Sequence, residues 1–284
     1  MDLIILFFLT ILPFFSVQEK QTDLVLFSSD RSGNSDIYLL SPKSPTPKQI
    51  TYSDAEEWAA TWVNSKEISF LRQKGKVITR HLINIETGIE SELQHPVNCR
   101  LDDKNILYSA EGNLQLYPCG GDIYLFNRED SSTLNLTEGI LGTCSYPSWS
   151  FDGNQITFTN NQSGSNDIYV MDLNSREMTQ LTHYDSNEER GALSPNNELL
   201  VFSSDHFETG NQDILIMNLE TKELRNITSS VGTELIARWN SDGTSLYFGS
   251  NQVGNWEIYV YDLKDQSTQR LTFHEGFDGD PRIF

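Results

Sequence analysis

Seven polar residues stand where they could do chemistry together. Glu57, Glu189, Glu234, Asp278 and Asp280 are carboxylates, Arg190 is a fixed cation and Asn98 an amide, and each lies at or just before a short apolar stretch. Glu56 and Glu188 stand beside two of them. Brought to one mouth, such oxygens would suit a calcium ion, and this is the one cofactor the pattern suggests; otherwise none is expected. Without a cation or the guanidinium of Arg190, crowded carboxylates would raise one another's pKa. Imidazole chemistry is the alternative, from His95, His183, His206 and His274. A metal held by histidines needs three or four of them converging at about 2 Å, and three of these follow the last strand of a repeat, away from its axis. Cys99, Cys119 and Cys144 form no C-x-x-C pair. Their odd count leaves Cys119–Cys144, Cys99–Cys144 or three separate thiols all open. Gly-x-Ser-x-Gly, phosphate-loop and His-Glu-x-x-His patterns do not occur, so no catalytic residue is assigned.

The elements that must position these residues are short strands. From Pro147 to Thr182 the chain reads as four of them. Ser148 to Phe151 is closed by Asp152-Gly153, a dipeptide suited to a tight hairpin because Gly takes positive φ without strain. Gln155 to Asn160 then alternates apolar and polar residues at the period of two that a strand imposes. Asp167 to Asp172 and Met178 to Thr182 complete the unit. The pair ending the fourth strand recurs as Ile50-Thr51, Leu93-Gln94, Leu136-Thr137, Leu181-Thr182, Ile227-Thr228 and Leu271-Thr272. A step of about 44 residues is the size of one propeller blade. Asp-Ile-Tyr or a close variant opens the third strand at Asp36, Asp122, Asp167, Asp213 and Glu257; in blade two it is degraded, as Ile78 to Asn84. The expected fold is therefore all-β, a six-bladed β-propeller of four-stranded antiparallel blades. An acid repeated in every blade is read as a structural hydrogen bond, since an active site is made once. Trp149 and Trp239 are read as core.

Blade one lacks an inner strand before Leu24, and Asp280-Pro-Arg-Ile-Phe284 follows the sixth Leu-Thr pair where Pro147-Ser-Trp-Ser opens blade four. The C-terminal strand is expected to close the ring, because an unfilled edge would leave it broken. Strand alternation sorts the connections onto two faces. The Asp-Gly turns and the turns after third strands share one, here called the turn face. Loops between second and third strands share the loop face with the links between blades. The loop face would hold Asp30, Arg31, His206, all three cysteines and a longer loop from Glu111 to Gly121, with Cys99 to Asp102 opening blade three. Arg72 to Lys76 is read as a solvated basic turn.

The pattern P-x-W-S-x-D-G-x-x-I-x-F at Pro147–Phe158, S-D-R-x-G-N-x-D-I-Y at Ser29–Tyr38, and its partial copy at Trp239–Phe248 resemble TolB-like (WD40-like) propeller repeats, in register over nearly everything after residue 23. The resemblance implies a bacterial propeller, periplasmic or secreted, used most often to bind protein. Propeller lyases acting on uronates, related by repeat type, use histidine clusters with Mn2+ in the channel. Peptidases of the family carry a separate hydrolase domain, for which no room is expected here. TolB-like proteins of the Tol–Pal system place an α/β domain before the propeller; none is read here, so that role is not expected, though a Pal-like partner remains conceivable.

The chain carries 20 basic and 40 acidic residues, a net charge of −20. Such a surface repels phosphate backbones, which excludes nucleic acid as a primary partner. Residues 1–18, with the apolar run Leu3 to Phe15, read as a signal peptide, too short for an ordinary membrane span. Residues 22–284 are assigned to the propeller. The expectation is a periplasmic or secreted monomer, with no stable membrane insertion once the signal is removed. It would bind an envelope protein through the loop face and channel mouth by Glu57, Asn98, Glu189, Arg190, Glu234, Asp278 and Asp280. The alternative is a small metal-assisted carbohydrate lyase or hydrolase working in the channel. The sequons at Asn135, Asn161 and Asn226 are read as chance.

Overall fold

The computed structural model describes residues 23–41, 44–94, 99 and 106–284. The expected leader, His95, Asn98 and the segment Arg100–Asp102 fall outside these. All regular structure among the described residues is strand, arranged as six four-stranded antiparallel sheets. The strands of each sheet follow one another from the axis outward. The inner ones are Glu56–Trp62, Leu107–Tyr108, Cys144–Trp149, Glu188–Leu193, Glu234–Trp239 and, for blade one, Asp278–Ile283.

Each blade forms for the reasons its sequence suggests. In blade four Ile156 and Phe158 are fully buried, and Gly153 holds φ at 71° so that the Ser150 N–H meets the Gln155 carbonyl at 2.9 Å. The acid of each Asp-Ile-Tyr accepts a hydrogen bond from the threonine that ends its blade. Thr137 reaches Asp122 at 3.0 Å, Thr182 reaches Asp167 at 3.1 Å and Thr228 reaches Asp213 at 3.1 Å. The same hydroxyl accepts the next backbone N–H, as Ile168 to Thr182 at 2.8 Å. The third and fourth strands are thereby clasped at their loop-face ends, once per blade. Blade two, with Gln94 where the others carry threonine, is the exception the sequence marks.

The ring closes through the C-terminal strand. Asp278–Ile283 lies antiparallel beside Val25–Ser29, with Val25 opposite Ile283 and Ser29 opposite Asp278. Tryptophans at the ends of inner strands then tie neighbouring blades together. The indole N–H of Trp62 donates to the Arg282 carbonyl at 3.2 Å, across the closure, and that of Trp239 to the Ala192 carbonyl at 3.1 Å. Between blades the core is apolar; one cluster joins Val201, Ile214 and Ile216 of blade five to Trp239, Leu246 and Phe248 of blade six.

Blade three departs from the expected layout. Its inner strand is Leu107–Tyr108, and the stretch from Glu111 to Gly121 is not one loop: it contains the second strand, Leu114–Cys119. Gly112 and the Gly120-Gly121 pair, all at positive φ, make two separate turns. Cys119 thus ends a strand and is bonded to Cys99, with Cα atoms 5.4 Å apart, while Cys144 is a buried free thiol. Neither pairing through Cys144 forms, because that residue opens the inner strand of blade four, covered by the Asn160 side chain at 3.1 Å. The basic stretch of blade two is not a free turn either. Arg72 lies in strand Glu67–Lys74 and pairs with Glu57 and Glu90, each at 2.5 Å.

Candidate functional site

The inner strands share one irregularity, and it shapes the channel. Pairing with the second strand slips by a bulge between Trp58 and Thr61, Ser145 and Ser148, Glu189 and Ala192, and Leu235 and Arg238, with a matching slip at the closing strand. The residue at each bulge is left-handed and is not glycine: Ala59 at φ 54°, Tyr146 at 49°, Arg190 at 59°, Ile236 at 63° and Asp280 at 57°. A conformation that L-residues seldom adopt, repeated in five blades, is a built device.

Two residues ahead of the bulge stand Glu57, Glu188, Glu234 and Asp278, at most 1% exposed. They do not gather at the channel mouth; each is buried within its own blade, which corrects the expected ring of carboxylates. Glu188 accepts from Ser186 at 2.6 Å and Ser204 at 2.9 Å, and Glu234 from Ser230 at 2.5 Å and Ser250 at 2.7 Å. Asp278 is paired with Arg31 at 2.6 Å. Across each blade boundary they face the buried acid opening the preceding third strand: Asp36, Asp167, Asp213 or Glu257. Among the described residues no three of His, Cys, Asp and Glu are grouped to hold a metal ion. Burial, and then the neighbouring acid, pushes the carboxyls of Glu188 and Glu234 above the ordinary glutamate value, against the pull of their serines.

This has a measurable consequence. A carboxyl raised in the fold binds its proton more tightly folded than unfolded. Stability therefore increases as pH falls from above the raised value toward the ordinary glutamate pKa of about 4.3, and flattens below it. Relative to the Glu188→Gln/Glu234→Gln double variant, the wild-type chain should gain melting temperature as pH is lowered from neutrality through that window. A difference between the two that stays constant with pH would refute the assignment.

Of the remaining candidates, Glu189, Arg190 and Asp280 stand at or beside the bulges of the inner strands, and Asn98 lies outside the described residues. Arg190 is ion-paired with its neighbour Glu189 and lies 3.9 Å over the Tyr146 ring of the preceding blade. The other oxygen of Glu189 accepts from Asn166 at 2.7 Å. Asp280 borders a cavity of about 220 Å³ between blades six and one, walled by Ile236, Trp256, Phe277 and Pro281. Sequence reasoning missed these apolar walls, although Phe277 and Ile236 occupy the same links and bulges as residues it selected. Of the histidines, His183 and His206 are exposed on the loop-face rim, the His206 ring tilted 4.7 Å from that of Tyr184, and His274 follows the last strand of blade six. They do not converge.

No family model matches the chain. A TolB homolog from Chlorobium chlorochromatii (strain CaD3) is 30% identical over 130 residues, 45% of this chain and 28% of that relative. One from Chlorobium luteolum is 29% identical over 170 residues, 58% of this chain and 36% of the relative. The matched stretches thus span about a third of those proteins. Among solved structures, TolB from Acinetobacter baumannii superposes with a TM-score of 0.77 over 92% of this chain and 66% of its own, at 15% identity. An oligogalacturonate lyase in complex with manganese gives 0.57 over 89% and 74%, at 11% identity. At these identities the structural likeness is one of fold.

Proposed function

We propose that this chain, a TolB-like six-bladed β-propeller, is a non-catalytic protein-binding module whose partner docks on the loop face. One observation carries the reading: large exposed apolar side chains concentrate there. Val231 is 95% exposed, Leu141 76%, Phe273 75% and Tyr52 74%, all in links between blades, and Phe277 stands beside the cavity at Asp280. Exposed apolar side chains gathered on one face beside a pocket mark an interaction surface, whereas singly scattered ones need no explanation. Arg190, Glu189 and Asp280 supply polar groups at the centre of that face, and an apolar partner side chain would anchor between Trp256 and Phe277.

The Cys99–Cys119 disulfide supports an oxidising compartment, and with the expected leader it supports a periplasmic or secreted site of action. A cell-envelope protein is the partner proposed. The metal-assisted alternative needs three or four converging ligands; His183 and His206 share one open cleft on the rim, and His274 lies in a different link. The test is retention of partners from a native envelope extract by the wild type, by a Val231→Glu/Phe277→Glu variant and by an Ile89→Glu variant altered on the turn face. The reading expects a protein held by the wild type and the turn-face variant and lost, about tenfold or more, with the loop-face variant. Equal retention by all three, with melts unchanged, would overturn it.

A further inference from the structure

The channel has a second, chemically distinct half. Two residues beyond each bulge the inner strands present Thr61, Ser148, Ala192, Arg238 and Arg282, and blade three presents Leu107 at the equivalent place, next to its turn. Together with the residues that follow them they line one cavity of about 180 Å³. All six blades contribute to its wall, so it is the axial channel itself, at the end that opens among the Asp-Gly turns beside Phe151.

Two adjacent guanidinium groups in this ring have no carboxylate partner among the described residues. Among the described residues Arg238 donates to the carbonyls of Arg190 and Ala237, at 3.1 and 2.7 Å, and Arg282 to that of Pro281, at 3.3 Å. Arg190, one bulge higher in blade five, adds a third cation at the axis, but its own charge is answered by Glu189. Both groups are half-buried in the cavity wall, and burial followed by the repulsion of Arg282 and Arg190 pulls the pKa of Arg238 well down. Burial and Arg190 act on Arg282 the same way, with Asp280 opposing. An arginine stays charged in proteins, so the repulsion is relieved by bringing in an anion rather than by losing a proton. In a chain with twice as many acidic as basic residues, two axial arginines with no ion-paired carboxylate among the described residues are the opposite of what average composition produces.

We propose that the turn-face half of the channel is a binding site for a small multivalent oxyanion of the phosphate or sulfate kind, held by the forks of Arg238 and Arg282. The guanidinium geometry suits tetrahedral oxygens two at a time. The cavity has room for such an ion together with several waters, and Trp62, Trp149 and Trp239 form part of its wall. Thr61 and Ser148 in the same ring supply hydroxyl donors for the remaining oxygens. This site is separate from the loop-face surface and stands or falls independently of it.

The experiment is calorimetric titration of the full chain with inorganic phosphate and with inorganic sulfate, from about 0.1 to about 10 mM at constant ionic strength set by chloride. Saturable one-to-one binding to the wild type is expected, with indole fluorescence changing in step. Arg238→Gln and Arg282→Gln should each weaken it about tenfold or more. Binding of phosphate over sulfate would identify a selective site, and equal binding a general oxyanion site; both support the proposal. Leu107→Glu, which puts a carboxylate into the ring, should abolish binding and leave the melting temperature unchanged or higher. It also serves where an arginine variant fails to fold. No saturable binding, or equal binding to wild type and variants, would overturn the proposal.

Discussion

Removing residues 277–284 should cost this protein most of its stability. The closing strand pairs with Val25–Ser29 along its length, buries Asp278 against Arg31 and receives the Trp62 indole N–H on the Arg282 carbonyl. Net values of about 1 kcal/mol for each of several hydrogen bonds, together with the newly exposed apolar edge, approach the whole 5–15 kcal/mol that folded domains retain. The truncated chain is expected either to aggregate or to melt more than about 15 °C lower. A peptide of residues 277–284 supplied in trans should recover part of the loss, since the missing element is a strand and not a folding signal. An unchanged melt would mean that the ring is held without it.

The second large effect is expected at Trp239. It is 3% exposed in the cluster joining blades five and six, and its indole N–H is bonded across that boundary. Trp239→Ala should cost about 3–5 kcal/mol, the usual range for emptying an aromatic core site. Phenylalanine substitutions separate packing from bonding. Trp239→Phe should lose about 1 kcal/mol more than Trp149→Phe, because the Trp149 indole N–H has no partner to forfeit. Equivalent losses in urea unfolding would show that the cross-blade bond contributes nothing of its own.

The sequence displayed the blades because their signals are local. Alternation, Asp-Gly turns and the threonine clasp all fall within one repeat, and Asp280–Phe284 could be matched to Pro147–Ser150 by position alone. What it hid depends on register or on geometry across blades. In blade three two turns nearly merge, so Leu114–Cys119 reads as loop, and with it Cys119 seems remote from Cys99. Glu57, Glu234 and Asp278 look like a mouth cluster in one dimension, yet two residues decide whether an inner-strand side chain enters the blade or meets the channel. Their repetition was the available clue: it marks structural groups here as it does in Asp-Ile-Tyr. The channel arginines were legible too, had the inner strands been aligned on the position before each tryptophan, where Thr61, Ser148 and Arg238 fall together.

The left-handed bulge carries a last consequence. Alanine, tyrosine, arginine, isoleucine and aspartate occupy the same backbone geometry in five blades, so the fold accepts any of them there. Architecture and lining are thus uncoupled: the scaffold specifies an address on the channel wall and leaves its content open. Whereas Ala59 and Ile236 are buried and packed, a new recognition preference can arise by single exchanges at residues 146, 190 and 280, which are partly exposed. That makes this ring a ready framework for diversification, in evolution or by selection from a library confined to those positions.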